Sequence, residues 1–114
     1  MSGISTHVLD TSIGRPAAGV PVTLERQDTA GNWTQAGGGT TSADGRVPQL
    51  LGGGEALAAG IYRLTFDTAA YFRARGVESF YPSVTVQFEI RDPGQHYHVP
   101  LLLCPFGYST YRGS

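Results

Sequence analysis

Residues 84–103 read VTVQFEIRDPGQHYHVPLLL, and the alternation in this run sets the fold class. Val84, Val86, Phe88 and Ile90 fall at every second position against Thr85, Gln87 and Glu89, so the chain shows apolar groups to one side and polar groups to the other. A half-buried β-strand requires that pattern, because successive side chains of an extended chain point to opposite faces. Asp92-Pro93-Gly94 supplies a turn. Beyond it Tyr97, Val99, Leu101 and Leu103 share an apolar face, which leaves His96 and His98 together on the other.

The same pattern recurs towards the N-terminus. Tyr62, Leu64 and Phe66 alternate with Arg63, Thr65 and Asp67 as another strand. After it, Asp67 or Thr68 can cap a short helix over residues 69–75, which Gly76 can end in a left-handed conformation. Val20, Val22 and Leu24 alternate with Pro21, Thr23 and Glu25 and are expected in the core. Ile4 to Asp10 reads as a strand with Ile4, Thr6 and Val8 on one face and Ser5, His7 and Leu9 on a more mixed one. Thr11 to Gly19 and Asp28 to Asn32 have turn composition, and Trp33 opens a weaker strand expected to run out at Gly37-Gly38-Gly39. Ala43-Asp44-Gly45-Arg46 marks a tight reversal, and Leu51 to Gly60 is a glycine-rich loop of no assignable course. About seven to eight short strands with one helix near 68–75 amount to an all-β, antiparallel sandwich of two sheets.

The chain has 114 residues, the length of a single domain spanning 1–114. A core of that size is thin, so self-association is a reasonable expectation. A formal net charge of -1 with 15% charged residues gives no electrostatic footprint for nucleic acid or an anionic membrane. All eight cationic side chains are arginine, which excludes lysine Schiff-base chemistry and leaves guanidinium groups to bind anions or carbonyls. One cysteine, Cys104, allows no intrachain disulfide. Met1-Ser2-Gly3 leads almost at once into a strand, without a secretory signal or membrane span, so a cytoplasmic location is expected.

His96 and His98 on one strand face suit proton transfer, because imidazole titrates near neutral pH. They also suit a surface or interface role, or a metal site with His7 as a third ligand, although no cysteine cluster or acidic pair completes such a set. Arg46 is a solvated turn arginine unless the fold brings it to the histidines. Cys104 reads as a packed small hydrophobe, since a reactive thiolate needs a cationic neighbour. Ser109, Thr110 and Ser114 lack a nucleophile-elbow motif, and the glycine clusters lack phosphate-binding spacing. The last residues, Tyr111-Arg112-Gly113-Ser114, crowd aromatic, cationic and hydroxyl groups together where a loose tail is the usual finding.

Taken together, Thr6-His7-Val8-Leu9-Asp10, Asp44-Gly45-Arg46, Phe80-Tyr81-Pro82, His96-Tyr97-His98-Val99-Pro100-Leu101-Leu102 and Tyr111-Arg112-Gly113-Ser114 resemble the transthyretin-related 5-hydroxyisourate hydrolases across nearly the whole chain. The terminal tetrapeptide, like His7, Arg46 and His98, separates those hydrolases from transthyretin, the hormone carrier of the same fold. The resemblance implies a homotetramer built as a dimer of dimers, and hydrolytic opening of 5-hydroxyisourate without a cofactor or metal. It implies that His7 and His98 handle water and protons, that Arg46 binds the substrate carbonyls or the oxyanion, and that Tyr111, Arg112 and Ser114 shape the pocket. Cys104 and Phe106 stand where the family often has serine and tyrosine, and are expected to be packing changes.

Overall fold

The computed structural model describes residues 3–52 and 56–114. Two sheets face each other across one apolar core. The first holds β4 (Trp33–Thr40), β3 (Pro21–Gln27), β6 (Gly60–Phe66) and β7 (Val84–Ile90), antiparallel in that spatial order. Its register sets Leu24 opposite Leu64 and Leu64 opposite Val86, so the alternating apolar side chains form continuous inner rows. Val20, Val22, Leu24, Tyr62, Leu64, Phe66, Val84 and Val86 are all buried.

The second sheet is organised around β1 (Gly3–Asp10), which pairs with four strands along its eight residues. On one side lie β2 (Arg15–Pro16) and β5 (Arg46–Val47); on the other lie β8 (His96–His98) and β9 (Leu101–Cys104), with β10 (Gly107–Thr110) beyond β9. Pro100 lacks the N–H that a continuous strand needs, which divides β8 from β9. The break is closed by Val99, whose N–H donates to the Ser5 carbonyl at 2.9 Å and whose carbonyl accepts from Thr6 Oγ1 at 2.6 Å.

Three features differ from the alternation-based reading. β1 runs parallel to β8 and β9, because the first and last thirds of the chain meet only after the chain has crossed the other sheet. Thr11 to Gly19 is not wholly a turn: Arg15 and Pro16 pair with Asp10 and Leu9. Counting such two-residue pieces, the described chain has ten strands. Finally, β4 continues through Gly37-Gly38-Gly39 instead of ending there. Backbone crowding explains the first two of these glycines: a Cβ on Gly37 would lie 1.8 Å from the Leu50 carbonyl oxygen, and one on Gly38 would lie 2.6 Å from the Val22 oxygen, while one on Gly39 would press on the Val47 side chain at 3.0 Å. Within the loop read over Leu51 to Gly60, residues 53–55 lie outside the described residues, and Leu51 bridges Gly37.

The helix α1 (Thr68–Ala74) forms as its caps dictate. Asp67 Oδ1 accepts from the Ala70 N–H at 3.1 Å. Gly76, at φ +70°, closes the other end by donating to the Arg73 carbonyl while Val77 donates to that of Phe72. Its Tyr71 hydroxyl donates to Asp10 Oδ2 at 2.8 Å, while Ser12 occupies Oδ1 through its N–H and hydroxyl. This clasp satisfies a carboxylate that is almost fully buried at the end of β1. No helix among the described residues is long and apolar enough to cross a membrane.

Candidate functional site

The register of β1 assembles the site. His7 stands opposite Arg46 on one neighbouring strand, and Ser5 stands opposite His98 on the other. Paired residues share a face, so Ser5, His7, Arg46, His96 and His98 all lie on the outer side of this sheet, while Ile4, Thr6, Val47 and Tyr97 turn into the core. Arg46 and His98 flank β1 from opposite sides, two strand spacings apart across the sheet and two residues apart along it, which puts their backbones roughly 12 Å apart. That separation leaves room for a ring-sized molecule within reach of the arginine side chain.

Arg46 reaches this position because the Ser42–Gly45 turn closes tightly. Gly45 donates to the Ser42 carbonyl at 2.9 Å, and its positive φ of 78° is paired with crowding that no side chain could survive: a Cβ there would lie 2.5 Å from the Val8 carbonyl oxygen. Asp44 accepts from the Ser42 hydroxyl, which is the main reason its carboxyl is held below its ordinary value. Its 3.7 Å approach to Arg46 Nε is long and solvent-exposed, so the guanidinium is restrained only weakly.

His98 is the most constrained group. Its Nδ1 meets Ser5 Oγ at 2.8 Å, and the same oxygen meets His96 Nε2 at 2.7 Å. On its other side the chain returns through β10, so that Gly113 donates to the His98 carbonyl at 2.8 Å in an isolated antiparallel bridge. This places Ser114 at a cleft of about 310 Å³ lined by Ser5, Thr6, Arg46, Pro48, His96, His98 and Ser114. Burial lowers the pKa of His98, and the charges of Arg46, His7 and His96 push it the same way. The imidazole therefore stays neutral at pH values where an ordinary histidine begins to protonate.

Tyr111 and Arg112 lie elsewhere. Both line a separate groove of about 460 Å³ with Val86, Phe88, Tyr97 and Val99. Arg112 stacks 4.4 Å above the Tyr97 ring and donates to Gln95 Oε1 at 2.9 Å. Within one chain the contacts of Arg112 hold the tail down, with Tyr111 largely exposed beside it, while Ser114 faces the cleft. Cys104 is half-buried at the end of β9, its thiol directed to the Gly107 carbonyl at 3.4 Å. Among the described residues, no group of three or more His, Cys, Asp or Glu is placed to hold a metal ion. Ser5 escaped the motif-based reading. Its signal was the alternation that sets it on the face of His7, but its partners were identifiable only from the β1–β8 register.

Residues 4–113 match the sequence profile of the HIUase/Transthyretin family. This chain belongs to that family. Among its relatives, a 5-hydroxyisourate hydrolase of Salmonella dublin is 47% identical over 111 residues, covering 97% of this chain and 80% of that protein. The structure of Klebsiella pneumoniae 5-hydroxyisourate hydrolase is similar at a TM-score of 0.85 and 41% identity, over 99% of this chain and all of that one. Sea bream transthyretin, solved in complex with thyroxine, is similar at a TM-score of 0.89 and 33% identity, over 96% of this chain and 93% of that one. The fold is therefore shared between a 5-hydroxyisourate hydrolase and a thyroxine-bound transthyretin, and backbone likeness alone does not choose between them.

Proposed function

We propose that this chain is a 5-hydroxyisourate hydrolase that opens the six-membered ring of its substrate to give 2-oxo-4-hydroxy-4-carboxy-5-ureidoimidazoline. The observation that carries the reading is the convergence of Arg46, His98 and Ser114 on one polar cleft, with His7 directly opposite Arg46. A carrier of large apolar ligands needs apolar walls. A cleft lined by guanidinium, imidazole and hydroxyl groups suits a small polar ring.

The scissile bond is a cyclic amide. Neutral His98 takes a proton from water as its oxygen attacks the carbonyl carbon, Arg46 stabilises the resulting oxyanion, and the ring nitrogen receives a proton as the C–N bond breaks. His7 shares the proton traffic and the binding of the substrate carbonyls, and Ser114 donates a hydrogen bond from the tail. Arg112 serves the pocket through its hold on that tail, with Tyr111 beside it in the same groove. No cofactor enters these steps. The site lies on the outer face of the six-stranded sheet, where a second copy can cover it, and this supports assembly as a homotetramer formed from two dimers.

The test follows the ultraviolet absorbance of 5-hydroxyisourate generated from urate, against a protein-free trace that records spontaneous decay. The parent protein accelerates the decay, and His98→Ala lowers kcat by about 10²-fold or more while eluting as the same assembly. A folded parent that gives no acceleration overturns the hydrolase reading and leaves ligand carriage between subunits.

A further inference from the structure

Ser5 presents one hydroxyl proton to two imidazoles. It is 8% exposed, its Oγ lies 2.8 Å from His98 Nδ1 and 2.7 Å from His96 Nε2, and no residue of the catalytic proposal above uses it. A hydroxyl in that position donates to one nitrogen and accepts from the other. If it accepts from His98 Nδ1–H, then Nε2 of His98 carries a lone pair and acts as a base. If it donates to Nδ1, then Nε2 carries a proton and acts as an acid. The two arrangements differ by a shift of protons along the line His98–Ser5–His96 and by the one proton that Nε2 of His98 takes up from outside it.

We propose that Ser5 and His96 form a proton relay that sets the tautomer of His98 and carries its excess proton to an exposed ring during hydrolysis. This rests on the hydrolase reading and deepens it. When water gives a proton to Nε2, the Nδ1 proton of His98 passes to Ser5 Oγ and the Ser5 hydroxyl proton passes to Nε2 of His96. One O–H bond of water is broken and one N–H bond is gained at His96, while Ser5 keeps one proton throughout. His98 is then neutral and carries its proton on Nε2. Transfer of that proton to the leaving nitrogen runs the relay backwards, so His96 returns its proton through Ser5 to Nδ1 and the cycle closes without a net change.

The advantage is electrostatic. A proton held on half-buried His98 faces Arg46 from β5, His7 from β1 and His96 on its own strand, with Asp44 engaged at Arg46 beyond. Burial and like charge both oppose it there. His96 is exposed, and water screens the same charge on its ring. Ser5 and His96 are thus positioning residues, and the bond-making at substrate stays with Nε2 of His98.

Ser5→Ala is expected to lower kcat about 10- to 100-fold, less than loss of the general base itself, with KM changed by less than about twofold. Ser5→Thr, which keeps the hydroxyl, recovers most of that loss. The parent shows a curved dependence of kcat on the deuterium fraction of the solvent, as several protons move together, and Ser5→Ala shows a straight one. His96→Gln, at an exposed position that leaves folding intact, also gives a straight dependence. Parental kcat in Ser5→Ala, or a straight dependence in the parent, overturns the relay. If the parent fails to accelerate substrate decay, the hydrolase reading falls separately. The relay is then judged by nitrogen-15 spectra of His98 without substrate, where Ser5→Ala changes the tautomer ratio, and an unchanged ratio overturns it.

Discussion

Replacing Gly113 by alanine isolates the contribution of the C-terminal tail. Gly113 packs closely against His98, and an added Cβ would lie 2.5 Å from His98 Cδ2 and 3.3 Å from both His98 Cγ and Pro100 Cγ. A contact that short must relax by roughly 1 Å to reach ordinary carbon–carbon separation. Two movements can supply it. Either the imidazole swings, which strains the 2.8 Å contact of its Nδ1 with Ser5, or the tail lifts, which breaks the 2.8 Å bond from the Gly113 N–H and withdraws Ser114. A misplacement of about 1 Å at a reacting group costs about 10²-fold in rate. The fold loses little, since the tail can yield at a cost of one backbone hydrogen bond, about 0.5–1.5 kcal/mol. Gly113→Ala is therefore expected to reduce kcat about 100-fold on 5-hydroxyisourate while its thermal midpoint falls by no more than about 10 °C. Turnover within about threefold of the parent would refute the role assigned to the tail. Unfolding at the assay temperature would refute the claim that the tail yields independently of the core.

Two further outcomes concern titration. His98 has a lowered pKa through burial and the charges of Arg46, His7 and His96, so it remains neutral as pH falls past 6.5, and the stability this neutral form contributes is complete above about 6.5, declines as pH falls below it and is fully lost once pH has fallen through the lower folded-state value. The acid limb of kcat/KM is accordingly expected below pH 6.5 and moves up towards it in Arg46→Gln, which removes one of the opposing charges; a parental limb above 6.5 contradicts this. Tyr71 is raised to about 12 by burial, reinforced by its hydrogen bond to Asp10, so the folded chain keeps that proton at pH values where the unfolded chain has lost it. Its contribution is complete below about pH 10 and is lost as pH climbs towards 12. Tyr71→Phe removes a hydrogen bond to a buried carboxylate, worth about 1.5–3 kcal/mol, and lowers the thermal midpoint by about 5–15 °C at neutral pH with a smaller difference from the parent near pH 12. A fall below about 2 °C in melting experiments contradicts the clasp.

Alternation was the legible part of this chain. Val84, Val86 and Ile90, like Val22, Leu24, Leu64 and Phe66, are buried at the positions that period-two reading assigns to the core. Local chemistry also carried through at the helix, where Asp67 and Gly76 act within one turn of their own positions. Gly37-Gly38-Gly39 was misleading for the opposite reason. Glycine ordinarily weakens a strand, yet here the Leu50 and Val22 carbonyls approach so closely that a side chain has no space. The cause sits in another part of the chain, so nothing in the local composition distinguishes a strand that ends from one that is crowded.

The candidate site divides along the same line. Sequence alone determined that His96 and His98 share a face, that a tight turn precedes Arg46, and that the final tetrapeptide is chemically dense, because each depends on residues within a few positions. Tertiary structure decided which groups meet. The parallel pairing of β1 with β8 brings Ser5 to His96 and His98 across more than 90 positions, the β1–β5 register sets His7 beside Arg46, and the return of β10 places Ser114 at the cleft while directing Arg112 to Tyr97. Strand register is fixed by burial of Ile4, Thr6, Val47 and Tyr97 on the inner face, and a slip of one residue would turn every polar group of the outer face into the core. The inner face thus fixes the outer one, and that coupling exists only once the sheets have packed.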